Sequence, residues 1–217
     1  MLRAIRTNKW LSIVAFLAIF LSLYLGVQYF VMGADQSGLV QDKLGEMNLN
    51  DLWYVMVYTH VATAIAAICT GWLQFISKLR SRSYRLHKAI GRIYSVGVLL
   101  GGISGFYLSF YATGGWVSSV GFLLLSILWL YTLVRGIRAI AVKKDRAEHQ
   151  RWMTRNYALT FAAVTLRLYL PICMAVFGLE HFNDYYRVIA WLCWVPNLFF
   201  AQWLLTRRKR KPIAVQF

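Results

Sequence analysis

Six apolar stretches, each long enough to cross a bilayer, occupy nearly the whole 217-residue chain. In lipid a backbone must satisfy its own hydrogen bonds, and a spanning helix needs about 20 mostly apolar residues. The stretches run over about 10–32, 52–76, 89–112, 116–140, 152–178 and 187–206. Their connections are too short to hold a soluble unit. The expected fold class is therefore an all-α integral membrane bundle of six transmembrane helices, forming one membrane domain over 1–217. Composition agrees: 15% of residues are charged, against about 25% in soluble domains.

The first stretch follows Arg3, Arg6 and Lys9 in the manner of a signal peptide. It exceeds the roughly 7–15 residues of a signal core and lacks an A-x-A cleavage site. It is expected to stay as an anchor helix.

A net charge of +16 points to nucleic acid in a soluble protein. Here the positions of the charges point to membrane orientation. Of the 24 Lys and Arg residues, 21 fall on one side: the N-terminus, the segments around 78–92 and 135–155, and the RRKRK tail at 207–211. Only Lys43 and Arg187 fall on the other side, and Arg167 lies within a span. The positive-inside rule then places both termini in the cytoplasm. The tail meets anionic headgroups, and no nucleic-acid partner is required. The first outer connection is acidic, with Asp35, Asp42, Glu46 and Asp51. Trp53, Tyr54, Trp116, Tyr185 and Tyr186 on the outer boundary, with Trp10, Trp152 and Trp203 inside, read as aromatic belts.

Cys69, Cys173 and Cys193 lie in apolar stretches without CxxC spacing, which argues against a disulfide framework or a zinc site. Thr113-Gly114-Gly115 reads as a tight turn. Gly97, Gly101, Gly105 and Ser109 form a small-residue stripe on the third span. It allows close helix approach or clears room for a flat cofactor. Two hairpins share a plan: His87-x4-Arg92-x-Tyr94 and His149-x5-Arg155-x-Tyr157.

Arg167 is the most informative residue. It sits roughly 16 Å inside the outer end of the fifth span, where a charge costs about 3 kcal/mol or more and usually faces a partner or a wet cavity. Pro171 follows four residues later and removes the helical partner of the Arg167 carbonyl, so a kink is expected there. Pro196, Asn197 and His60 fall at similar depth, and no span holds an Asp or Glu. Two readings stand. In one, His60, Arg167 and Asn197 line an outer-leaflet ligand or anion site, with a bound anion, a lipid headgroup, a cofactor carboxylate or Asp51 as counter-ion. In the other, Arg167 is structural, bonded to carbonyls and Tyr hydroxyls.

The histidines raise a further possibility. Two imidazoles from facing helices ligate a haem iron, and His87 and His149, with His60 as an alternative, are the candidate metal ligands for haem b. Against it, His87 and His149 sit at headgroup level. No HExxH, G-x-S-x-G or phosphate loop is present.

The stretch HQRWMTRNYALTFAAVTLRLYLP from His149 to Pro171, with H-x3-G-R-x-Y at His87 to Tyr94 and His60 in the second span, resembles the bacterial membrane family named domain of unknown function 2306. The resemblance covers roughly 53–205. It implies a bacterial inner-membrane protein and carries no activity with it. The layout is also similar to the six-helix cytochromes b, but the fourth span has no His to pair with His60. Three function classes follow: a haem electron carrier, a transporter or anion-binding protein using Arg167, and a non-catalytic assembly factor or partner of a membrane complex, including a homo-oligomer.

Overall fold

The computed structural model describes residues 2–209 except 39, 42 and 44–48. Asp42 and Glu46 of the acidic connection, and Arg210 and Lys211 of the tail, lie outside the described residues. The described chain is helical and contains six spans long and apolar enough to cross a membrane. The first is α1 (Leu2–Gly26), prolonged by a π turn over Val27–Val31. The second is α2 (Asp51–Gly71) with a 3-10 turn over Trp72–Phe75. A short helix, α3 (Ser77–Arg82), leads to the third span, α4 (Tyr84–Ser109), and the fourth is α5 (Trp116–Ala141). The fifth is split into α6 (Arg146–Thr160) and α7 (Ala162–Phe177), and the sixth into α8 (Phe182–Leu192) and α9 (Val195–Lys209).

Large apolar side chains such as Phe16, Phe20, Val31, Val176 and Phe199 stand on the exterior. A water-soluble fold buries such residues, and an exterior this apolar suits a lipid solvent.

The helices start earlier than hydropathy alone places them. The third span begins at Tyr84, not near 89, and the fifth at Arg146, not near 152. The basic segment expected as a loop at 78–88 is mostly helical. Caps account for both starts. The Ser83 hydroxyl accepts from the Leu86 amide at 3.2 Å. The Asp145 carboxylate accepts from the Ala147 and Glu148 amides, both at 2.9 Å. These bonds satisfy amides that a helix start leaves orphaned.

The amide of Glu148, with that of Ala147, holds the Asp145 carboxyl below the ordinary carboxylate value. The sign follows: its stabilisation is full above the ordinary value and is lost as pH falls through the lowered one. Asp145→Ala is expected to lower the thermal midpoint at neutral pH. The difference from wild type should shrink as unfolding scans move into acid.

The kink expected at Pro171 is displaced. Helix α7 runs through Pro171, and the fifth span breaks instead at Phe161. The Thr160 hydroxyl donates to the Asn156 carbonyl at 3.0 Å, and Thr165 to that of Phe161 at 3.1 Å. Hydroxyls bonded back to carbonyls one turn earlier bend a helix, and here they flank the break.

Aromatic placement also differs in part. Trp116 is 77% exposed, as a belt residue should be, whereas Trp53, Tyr185 and Tyr186 are buried in the bundle. The glycine stripe serves close packing. A Cβ on Gly97 would lie 2.9 Å from the Thr63 carbonyl oxygen, and one on Gly101 would lie 3.1 Å from Thr63 Oγ1. Spans two and three are therefore in backbone contact. The tight turn after the third span holds Gly114 at φ 84° and Gly115 at φ 76°, conformations open to glycine without strain.

Candidate functional site: a cationic cavity inside the bundle

The same glycine stripe positions the first candidate residue. A Cβ on Gly105 would lie 3.0 Å from His60 Cε1, so the imidazole occupies space that only a glycine leaves. Its Nδ1 sits 2.8 Å from the Gly101 carbonyl oxygen. Close packing of α2 on α4 thus fixes the His60 ring between the two spans.

Arg167 lies in α7, ten residues before its end at Phe177, roughly 15 Å along the helix axis. His60 is nine residues into α2. Both face one cavity of about 240 Å³. All six spans contribute to its wall: Tyr29, His60, Gly105, Ser126, Arg167 and Cys193 stand on the first to sixth in turn. Along α2 the lining runs from Trp53 to Ile68, a length of roughly 22 Å, so the cavity is long and narrow. Most of its wall is apolar.

One end lies near the turn after the third span, with Tyr111, Ala112 and Thr113 on the wall. There Lys43, from the first connection, donates to the Tyr111 carbonyl. The opposite end stops at Ile68, Leu159 and Thr160.

Electrostatically the cavity is one-sided. Lys43 and Arg167 line it, and no Asp or Glu does among the described residues. Arg167 has no ion pair and no hydrogen bond among the described residues. Asp51 is exposed at the start of α2 and does not pair with it. Among the described residues the guanidinium makes none of the bonds to carbonyls or Tyr hydroxyls that the structural reading of Arg167 expects. The indole N–H of Trp53 and the hydroxyl of Thr113, on lining residues, are buried without a partner among the described residues.

The sixth span places Asn197 elsewhere. Its amide donates to Thr165 Oγ1 at 3.0 Å and to the Cys193 carbonyl at 2.9 Å, and it does not line the cavity. Thr165 shares its one hydroxyl proton between that carbonyl and the carbonyl of Phe161. Pro196, in the first turn of α9, has no N–H to give to a carbonyl one turn earlier. Asn197 and Thr165 cross-link the interrupted fifth and sixth spans, and the structure does not bring Asn197 to the cavity with His60 and Arg167.

His87 and His149 also lie outside the lining. His149 Nδ1 is 2.7 Å from the Gly136 carbonyl oxygen, in the seam of the fourth and fifth spans. The His87 ring stacks on Tyr84 at 6.3 Å, and its carbonyl accepts from Gln74 of the second span. Each is held in its own hairpin, with no contact between the two rings among the described residues. The two candidate haem ligands are held by different neighbours, His149 by the Gly136 carbonyl and His87 beside Tyr84.

Below the cavity lies a buried polar network that sequence reasoning missed. Tyr94 donates to Asn156 Oδ1 at 2.5 Å and pairs with Thr160 Oγ1 at 2.9 Å. Asn156 Nδ2 donates to the Trp129 carbonyl at 2.7 Å and to Thr132 Oγ1 at 2.8 Å. Trp129 Nε1 donates to Thr160 at 2.8 Å. The network ties together spans three, four and five, and its members Trp129 and Thr160 form part of the cavity wall. The tyrosines of the two similar motifs, Tyr94 and Tyr157, meet with ring centroids 6.4 Å apart. Both cover Gly71, where an added Cβ would lie 2.3 Å from the Tyr157 ring. An Asn inside an apolar span was the available signal, passed over between Arg155 and Tyr157.

The model of one family, described as predicted membrane protein DUF2306, matches residues 57–205. The chain belongs to that family. The match takes in His60, Arg167 and the buried network. It leaves Tyr29, Lys43 and Trp53, which complete one end of the cavity, outside the matched DUF2306 region. No curated protein and no solved structure matches the chain.

Proposed function

We propose that this membrane protein binds a single-chain amphiphilic anion in its central cavity, with the anionic head at Arg167. The observation that carries the reading is the Arg167 guanidinium, unpaired among the described residues, on the wall of a mostly apolar cavity that no described Asp or Glu lines. A charge kept inside the bilayer without a protein counter-ion costs stability. A carboxylate supplies the missing partner, and guanidinium and carboxylate match in a two-pronged pair. The narrow apolar length accommodates one hydrocarbon chain beside that head. Helix interruptions at Phe161 and Cys193–Trp194 adjoin the cavity wall, and irregular backbone at membrane depth occurs where it is covered by protein or lines a cavity.

Orientation belongs to the same proposal. The Lys/Arg distribution puts the basic end in the cytoplasm of a bacterial cell. The cavity end at Lys43 and Thr113 then opens toward the outer leaflet. A cysteine placed by Asn183→Cys is expected to react with a membrane-impermeant maleimide on intact cells. One placed by Ala147→Cys should react only after lysis. The reverse pattern contradicts the orientation.

The ligand reading is tested by native mass spectrometry of protein purified in mild detergent. Wild type is expected to retain an amphiphilic acid that appears as a bound mass and in the organic extract. Arg167→Leu is expected to lose it. Retention of the same mass by Arg167→Leu would count against the site.

A further inference from the structure

His60 is locked in one tautomer. A carbonyl oxygen only accepts, so the 2.8 Å contact with Gly101 places the proton on Nδ1. Nε2 of the neutral ring then keeps its lone pair. Nε2 has no partner among the described residues, and His60 lines the cavity. It is not among the buried side-chain atoms sealed away without a partner. A ring flip that would present a donor instead would set a nitrogen lone pair or a carbon against the Gly101 carbonyl. The absence of a side chain at Gly105, 3.1 Å from Nδ1 at the position its Cβ would take, makes room for the ring as it stands.

Arg167 is the opposite kind of group. It has five donors and no lone pair. The two unpartnered groups on the wall are therefore unlike, one accepting and the other donating. A plain carboxylate satisfies Arg167 and has no hydrogen to offer His60. A head that joins a carboxylate to a hydroxyl offers a partner of each kind.

We infer that the ligand is an amphiphilic hydroxy acid, its carboxylate paired with Arg167 and its neighbouring hydroxyl donating to His60 Nε2. This rests on the amphiphilic-anion reading of the cavity and adds the second point of recognition.

The test compares three probes of equal chain length on the full-length protein in maltoside micelles at pH 7: decanoate, 2-hydroxydecanoate and 2-methoxydecanoate. Wild type is expected to bind the hydroxy acid about tenfold more tightly than the other two, the size of one good hydrogen bond. His60→Phe is expected to bring all three within about twofold while Arg167-dependent binding of decanoate persists. Should His60→Phe fail to fold, the hydroxy-against-methoxy ratio on wild type decides alone. Wild-type affinities within about twofold for all three would overturn the hydroxy-acid inference and leave the anion site standing. Binding of none of them, or binding unchanged in Arg167→Leu, would overturn the anion site itself.

Discussion

Arg167→Leu is expected to make the ligand-free protein more stable, by about 3 kcal/mol on the scale for a charge near the bilayer centre. The direction follows from the absence of any protein partner for the guanidinium among the described residues. Removing one member of a buried ion pair strands the other charge and costs several kcal/mol. Here no charge among the described residues would be stranded, and a leucine suits the apolar wall formed by residues such as Val57, Val61 and Leu166. The measurement is reversible unfolding in mixed micelles after delipidation, with wild type and Arg167→Leu side by side. Saturating ligand should reverse the order, because it stabilises only the form that binds it. A loss of stability in the ligand-free variant would mean that the guanidinium holds the bundle together.

The second large effect is expected at Asn156. Its side chain makes three interhelical hydrogen bonds, to Tyr94, the Trp129 carbonyl and Thr132. It is fully buried. Hydrogen bonds between spans average about 0.6 kcal/mol and reach about 1.7 kcal/mol, so Asn156→Leu is expected to cost about 2–5 kcal/mol. Asn156→Asp keeps the acceptor for Tyr94, loses both donors and adds a charge without a partner, and is expected to be worse. Unfolding of the same micellar protein, followed by tryptophan fluorescence, reads both. Trp129 shares the network, so its emission should shift even in fractions of Asn156→Leu that remain folded. A variant as stable as wild type would show that the three bonds are replaced at no net cost.

These two positions also mark how far the sequence speaks for itself. The six spans were legible because each is a long apolar run, and lipid tolerates almost no other backbone. Arg167 was legible because a lone charge in such a run has few harmless explanations. The place of Asn197 away from the cavity was not legible, for a physical reason. Depth along a span follows from counting residues, but the rotation of the helix does not. The rotation gives the Asn197 amide to Thr165 and the Cys193 carbonyl. The same ambiguity hid the contribution of the first span, whose Tyr29 reaches the cavity wall. Asn156 went unnoticed because an amide carries no charge to draw attention, although its network is fully satisfied inside the bundle.

Helix ends were shifted for another reason. Hydropathy marks where lipid begins, whereas Ser83 and Asp145 mark where hydrogen bonding begins. The glycine stripe carried more than sequence alone could assign. Gly97 and Gly101 bring two backbones together, and Gly105 gives the His60 imidazole its place.

The central claim, that an amphiphilic acid occupies the cavity with its head at Arg167, is tested most directly by photolabelling. A decanoate analogue with a diazirine in its chain is bound to the full-length protein, irradiated and mapped by peptide mass spectrometry. The account predicts label on cavity-lining residues such as Val57, Val61 and Leu125. That label should be competed away by unmodified decanoate and absent in Arg167→Leu. Label spread over lipid-facing residues such as Phe16, Val176 and Phe199, insensitive both to competitor and to the loss of Arg167, would contradict it.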